Sequence, residues 1–504
     1  MKHSIARASA LAAVVLTLGL AIVATPARAA DPSPPETPDA VTHHTMTLAG
    51  KPLAYTARAG TITLRGSDET PTAKIFYVAY TLDGGAPNRP VTFLYNGGPG
   101  SSSMWLHMGS FAPVRVVTAN GTMTGPPPYQ IVPNDKTLLD KTDLVFIDMP
   151  NTGFGRIIAN PKQFFGLDAD ANAFAQFIER YITNFGRWNS PKFLYGESYG
   201  TTRSAALASD LEQNGIGING VGLQSVILNF GLDDLTTTGG ADYGFVLYLP
   251  TEAAAAWYHD AIANKPASLT DWMTQAKSFA LGEYADALAK GANVSQSEFK
   301  DTAAKLARYT GLPQDYIEKS NLRVPYYKFE GKLLQNRGRI IGRLDGRFTT
   351  GTLDRYADFP YWDPTDSAID SAFTSAINNY LRTDLAYDPP LLYKTSTYDA
   401  IQAAGGWDFK HNGITQPDVS QDLAGAMVYN PALKVFVANG YYDFATPFFE
   451  TQFTMDHLQI PQDLRGNITY GFYPSGHMIY IEPDAYAQLH DDLEHWYDAT
   501  LGGR

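Results

Sequence analysis

The chain contains no cysteine. That excludes a thiol nucleophile, a disulfide framework and any cysteine-ligated metal, and it leaves stability to the packed core alone. Basic residues are scarce: 38 Lys and Arg stand against 51 Asp and Glu, for a formal net charge of −13. Such a balance lacks the basic surface that a nucleic-acid or anionic-membrane partner requires. Apart from residues 11–24 there is no long apolar run, so no membrane span is expected once the leader is removed. No H-E-x-x-H occurs, and the His43-His44 pair reads as a solvated strand start, so neither a metal nor another cofactor is expected. Internal repeats are absent as well.

What is present points to a well-packed globular protein. Hydrophobic residues make up 44% of the chain, with 30 Tyr and 26 Phe, which suits an enzyme better than a linker-rich scaffold. Residues 1–29 read as a secretory signal. Lys2 and Arg7 give a positive start, residues 11–24 are apolar, and Ala27-Arg28-Ala29 offers small residues for cleavage. The expected location is therefore secreted or periplasmic. Export without cysteine fits a bacterial envelope or external medium. Cleavage removes three basic side chains and no acid, so the mature chain is more acidic still.

The predicted order of elements is that of an α/β protein. A Pro-rich leader over 30–40 precedes alternating segments at 45–48, 53–64 and 74–82, read as antiparallel strands. Continuous apolar runs at 91–95, 144–147, 193–195 and 221–228 suit strands covered on both faces of a mostly parallel sheet. Helical patterns at 169–185 and 199–211 lie between them. This rhythm fails over 232–424 and returns with a strand at 434–438, a helix at 448–458, a strand at 468–473 and a helix at 484–497. The resulting organisation is a core over 41–231 and 425–504, interrupted by a large, mainly helical cap at 232–424.

The chemistry gathers around Gly196-Glu197-Ser198-Tyr199-Gly200. A G-x-S-x-G directly after a strand and directly before a helix is the setting of a nucleophile elbow, which implies an α/β-hydrolase fold with Ser198 as nucleophile. A serine hydroxyl needs a base, and the base needs an orienting acid. In this fold they follow in the order acid, then histidine, each on a loop after a strand. Asp443 occupies such a loop after the strand at 434–438, and His477 follows Gly476 after the strand at 468–473. His457, His490 and His495 fall in helical patterns and read as surface residues. The glycine-rich stretch after the strand at 91–95 suggests half of an oxyanion hole, with the N–H groups of Gly98 and Tyr199 as donors.

Together, Asn96-Gly97-Gly98-Pro99-Gly100-Ser101-Ser102-Ser103, Asp148-Met149-Pro150 with Gly153-Phe154, the nucleophile pentapeptide, the loop at 440–447 and Gly476-His477-Met478 resemble the serine carboxypeptidase family. The resemblance spans residues 90–481. It implies removal of single residues from the C-termini of peptide substrates through an acyl-enzyme. It also implies that Asn96, Gly97 and Glu197 receive the substrate's terminal carboxylate. A glutamate can hold a carboxylate only if one of the two carries a proton, which implies acidic working conditions.

The chain departs from the family pattern in three places. The family's second glutamate, expected shortly after the first motif, is missing, since no acid occurs between Gly100 and Asp135. Serine replaces the cysteine of the first motif, and the Asp148 motif is shorter before its Gly-Phe. The alternative reading is an esterase or acyltransferase using the same three side chains.

Overall fold

The computed structural model describes residues 37–232, 235, 242–357 and 359–502. The signal reading over 1–29 lies outside the described residues, as do residues 30–36 of the expected leader. No described helix is long and apolar enough to cross a membrane.

Nine strands form the backbone of one sheet: β1 (Ala40–Leu48), β2 (Lys51–Arg65), β3 (Pro71–Leu82), β4 (Val91–Tyr95), β5 (Asp143–Ile147), β6 (Lys192–Glu197), β7 (Gly220–Gln224), β8 (Lys434–Gly440) and β9 (Ile468–Tyr473). They run in the order β1-β2-β3-β5-β4-β6-β7-β8-β9, and the short strand Arg156–Ile157 pairs with β3 as the tenth. The pairings among β1, β2, β3 and β5 are antiparallel. From β5 to β9 every pairing is parallel.

The reason is visible in the side chains. β4, β5, β6 and β7 are buried at every position, and successive residues of a strand face opposite sides. Leu94, Phe146, Phe193 and Tyr195 enter one apolar cluster together with Phe373 and Tyr380 of one helix and Leu493 and Trp496 of another. Phe93, Val145, Leu194 and Val221 enter a second cluster on the other face, with Phe174, Phe177, Leu207 and Leu423. Helices therefore cover both faces, as parallel strands require.

One predicted strand is cut short. The apolar run over 221–228 leaves the sheet after Gln224, because Ser225 adopts φ +53. The chain turns there, and Ile227 becomes part of a cavity wall. Apolarity in this run reflects the cavity as well as the sheet.

Between β7 and β8 the described chain is mainly helical, from Tyr243–Tyr258 to Ser420–Tyr429, with one short strand pair at Arg339–Ile341 and Thr349–Gly351. Several of these helices share a third apolar cluster that takes in Tyr442, Phe444, Phe448 and Phe449. The insertion thus packs directly on the loop that follows β8. The helix Ser420–Tyr429 packs on the helix Tyr199–Gln213 beside the sheet.

A buried ion pair fixes the helix behind the pentapeptide. Arg203 bonds Asp170 at 2.6 Å with both side chains 0% exposed, and its second nitrogen donates to the carbonyl of Asn96 at 2.7 Å. Removing one member strands the other charge away from water. Asp170→Ala should therefore lose about 3–5 kcal/mol of stability in urea denaturation. A loss under about 1 kcal/mol would show that the pair does not hold these elements together.

Candidate active site

Ser198 sits where β6 ends and α1 (Tyr199–Gln213) begins. It carries φ +62 and ψ −133, a conformation that L residues adopt only when their surroundings impose it. The surroundings do so closely. A side chain on Gly196 would lie 2.2 Å from the carbonyl oxygen of Gly200, and one on Gly97 would lie 2.4 Å from the nitrogen of Tyr199. The turn is held by the Ser198 N–H donating to the Gln224 carbonyl at 2.9 Å, and by the Thr201 N–H donating to the Ser198 carbonyl at 2.8 Å.

Asp443 and His477 come from the loops after β8 and β9. His477 Nδ1 lies 2.8 Å from Asp443 Oδ2. Asp443 is fully buried. Its Oδ1 accepts from the N–H groups of Ala445 and Thr446 at 2.8 and 3.1 Å, and its Oδ2 accepts from Thr446 Oγ1 at 2.6 Å. A carboxylate so engaged accepts a hydrogen bond from Nδ1–H and leaves Nε2 of the neutral ring as the acceptor. Burial disfavours the charged imidazole, but the Asp443 carboxylate and its hydrogen bond outweigh this, so the His477 pKa is raised above its usual value.

The insertion ties these two loops together through its backbone. The Phe444 N–H donates to the Arg343 carbonyl at 2.9 Å, the His477 N–H to that of Leu344 at 2.7 Å, and the Gly346 N–H to that of Tyr442 at 2.8 Å. From the sheet side, Ser225 Oγ donates to the His477 carbonyl at 2.6 Å.

Ser198 and His477 line one cavity of about 290 Å³, and Asn96, Gly97, Gly98, Glu197 and Tyr199 line it with them. Seven of the eight residues singled out in the sequence meet there, and Asp443 stands behind His477. Glu197 is 2% exposed. Its Oε1 accepts from Asn96 Nδ2 and its Oε2 from Gln224 Nε2, both at 2.7 Å. Burial, with the nearby Asp443 charge adding to it, pushes the Glu197 pKa up to about 7 against the opposing pull of His477, Tyr480 and Asn96. Burial therefore favours the protonated form of this acid.

Sequence reasoning missed most of the walls. Besides Tyr199, the residues Trp105, Ile227, Phe230 and Phe409 line the cavity, and Arg343 brings a cation to it. An adjoining cavity of about 600 Å³ shares Gly98, Pro99, Ser101, Trp105 and Phe409. No local pattern marks these residues, since apart from the neighbours Ile227 and Phe230 they reach the cavity from segments far apart in the chain. His490 also departs from expectation, being 7% exposed rather than at the surface, because its helix turns that side toward the body of the protein. The Asp148 motif proves to brace the first one: Asp148 Oδ1 accepts from the Ser103 N–H at 2.7 Å.

A profile of serine carboxypeptidases matches residues 51–470. The chain belongs to the serine carboxypeptidase family. The match includes Asn96, Glu197, Ser198 and Asp443 and ends short of His477. That family is one of serine hydrolases. Over 174 residues the chain is 30% identical to the pheromone-processing carboxypeptidase KEX1 of Cryptococcus gattii, which covers 33% of this chain and 24% of that relative. The aligned part is thus about a quarter of that relative's length. Among solved structures, the proline iminopeptidase of Mycobacterium smegmatis aligns over 88% of this chain and 99% of its own, at 12% identity and a TM-score of 0.37. A monoglyceride lipase from Saccharomyces cerevisiae aligns over 87% and 94%, at 13% identity and a TM-score of 0.35.

In this member of the family the Asp443 loop depends on Thr446. Thr446→Val keeps the shape and removes a donor to a buried carboxylate. It should cost about 1.5–3 kcal/mol in thermal denaturation, and a change below about 0.5 kcal/mol would rule out that dependence.

Proposed function

We propose that the protein removes C-terminal residues from peptides through an acyl-enzyme on Ser198. The observation that carries this reading is the Asn96–Glu197 pair. It is a buried, amide-held acid beside the nucleophile, in a cavity that also contains His477. A site that acts on any ester or amide has no use for such an acid, whereas a terminal carboxylate needs a partner that can give it a proton.

The steps follow from the groups present. His477 Nε2 takes the Ser198 proton as Oγ attacks the scissile carbonyl, while Asp443 holds Nδ1–H and stabilises the imidazolium. The N–H groups of Gly98 and Tyr199 receive the developing oxyanion, each worth about 2.7–4 kcal/mol. The amine of the departing residue leaves with the proton from His477. Water then gives a proton to His477 as it attacks the acyl-enzyme, and His477 returns that proton to Ser198 Oγ as the shortened peptide leaves. Asn96, Gly97 and Glu197 hold the terminal carboxylate during acylation. The leader over 1–29 assigns this activity to the periplasm or the external medium.

Turnover of Ser198→Ala should fall by about 10⁶-fold on an N-blocked dipeptide, and near-normal turnover would remove the nucleophile assignment. The pH dependence carries two signs. His477 acts as a base only when neutral, and its pKa is raised, so kcat/KM should decline on acidification from above the ordinary imidazole value of 6.5. Glu197 receives a carboxylate only when protonated, so kcat/KM on a free-acid substrate should also decline above about 7. The C-terminal amide of the same dipeptide should lack that second decline. Equal rates on acid and amide at every pH would instead favour the esterase or acyltransferase reading.

A further inference from the structure

Glu197 has more company than the family pattern supplies. The family's second glutamate belongs to the stretch Met108-Gly109-Ser110-Phe111-Ala112-Pro113, which holds no acid here. The space over that stretch is filled by Tyr480. A side chain on Gly109 would lie 2.5 Å from Cε2 of the Tyr480 ring, so glycine there admits the ring. Tyr480 is 2% exposed. Its hydroxyl lies beside Glu197 and Asn96, and among the described residues it has no partner at full hydrogen-bond geometry. A buried hydroxyl in that state is costly unless it serves a neighbour.

The amides around Glu197 are oriented by their own partners. Asn96 Oδ1 accepts from the Leu106 N–H at 2.9 Å, which turns its Nδ2 toward Glu197. Gln224 Oε1 accepts from the Tyr195 hydroxyl at 2.8 Å, which turns its Nε2 toward the other carboxyl oxygen. Gln224 also reaches the His477 carbonyl at 3.4 Å. The titratable or charged groups facing Glu197 are thus His477, Asp443, Tyr480 and Tyr195, with Arg343 acting on His477.

We propose that Tyr480 and Gln224 are positioning residues for this acid: with no second glutamate to share its proton, their hydroxyl and amide donors decide over which pH range Glu197 stays protonated and receives a peptide's terminal carboxylate. Each donor favours the ionised carboxylate, and together they oppose the burial that favours the neutral acid. One proton is then enough for recognition. It passes along the hydrogen bond from Glu197 to the incoming carboxylate or stays shared between the two, and no net proton is consumed. Tyr480 lies outside the cavity wall and acts through Glu197.

The inference rests on the carboxypeptidase reading, and the test separates the two. The wild type, Tyr480→Phe and Gln224→Met are compared on an N-blocked dipeptide and its C-terminal amide. The quantity followed is the pH at which the preference for the acid falls to half. Loss of either donor should move that pH upward, by about one unit, extending acid preference into alkaline solution. A residue that merely supported the fold would lower both rates and leave the midpoint in place. An unmoved midpoint in both variants, with a wild type that prefers the acid, overturns the inference alone. A wild type with no preference for the acid at any pH overturns the carboxypeptidase reading and the inference with it.

Discussion

The architecture depends on a close approach between two loops at the carboxyl edge of the sheet. The turn carrying Ser198 and the loop beginning at Asn96 touch so tightly that Gly97 and the nitrogen of Tyr199 leave no room for a side chain. That contact imposes the positive φ of Ser198, and it sets the N–H of Tyr199 close to the loop that carries Gly98. It also lays Asn96 against Glu197. Strain of this kind persists only when surrounding structure over-determines it. Here the surrounding structure is the pair of fully buried strands β4 and β6, in register from Val91 opposite Lys192 to Tyr95 opposite Gly196, and the Arg203 side chain that grips both the Asn96 carbonyl and Asp170.

Burial does the rest of the chemistry. The same low-dielectric environment acts on Glu197 and His477 with opposite results. For Glu197 desolvation prevails and the acid is held near neutrality. For His477 the Asp443 carboxylate outweighs desolvation and the base is strengthened. Both groups are thereby shifted upward, Glu197 by loss of water and His477 by its carboxylate partner. Uncharged neighbours bear on this balance too: the Gln224 amide donates to Glu197 at 2.7 Å.

The helical insertion is more than a cover. Its segment at 343–346 hydrogen-bonds through backbone groups to both the Asp443 loop and the His477 loop. These loops follow adjacent parallel strands, and a third piece of chain clamps them from above. The insertion also supplies Arg343, Leu344 and Phe409 to the cavity. Fixing the acid–base pair and shaping the space for substrate are thus tasks of the same segment.

The sequence alone determined the features that are written locally. Continuous apolar runs specify strands buried on both faces, and a G-x-S-x-G between strand and helix specifies the elbow, because a single tight turn is set by its own few residues. The loops that carry Asp443 and His477 were legible as loops after apolar strands, and the stretch at Asn96 by its glycines. Only the tertiary structure decided that the run over 221–228 leaves the sheet after Gln224, that Tyr480 stands over Gly109 and that segment 343–346 bridges the Asp443 and His477 loops. Likewise only the fold held Glu197 to a pKa of about 7. Those outcomes depend on contacts between residues far apart in the chain and on the water that such contacts exclude, and neither is encoded in any short window of sequence.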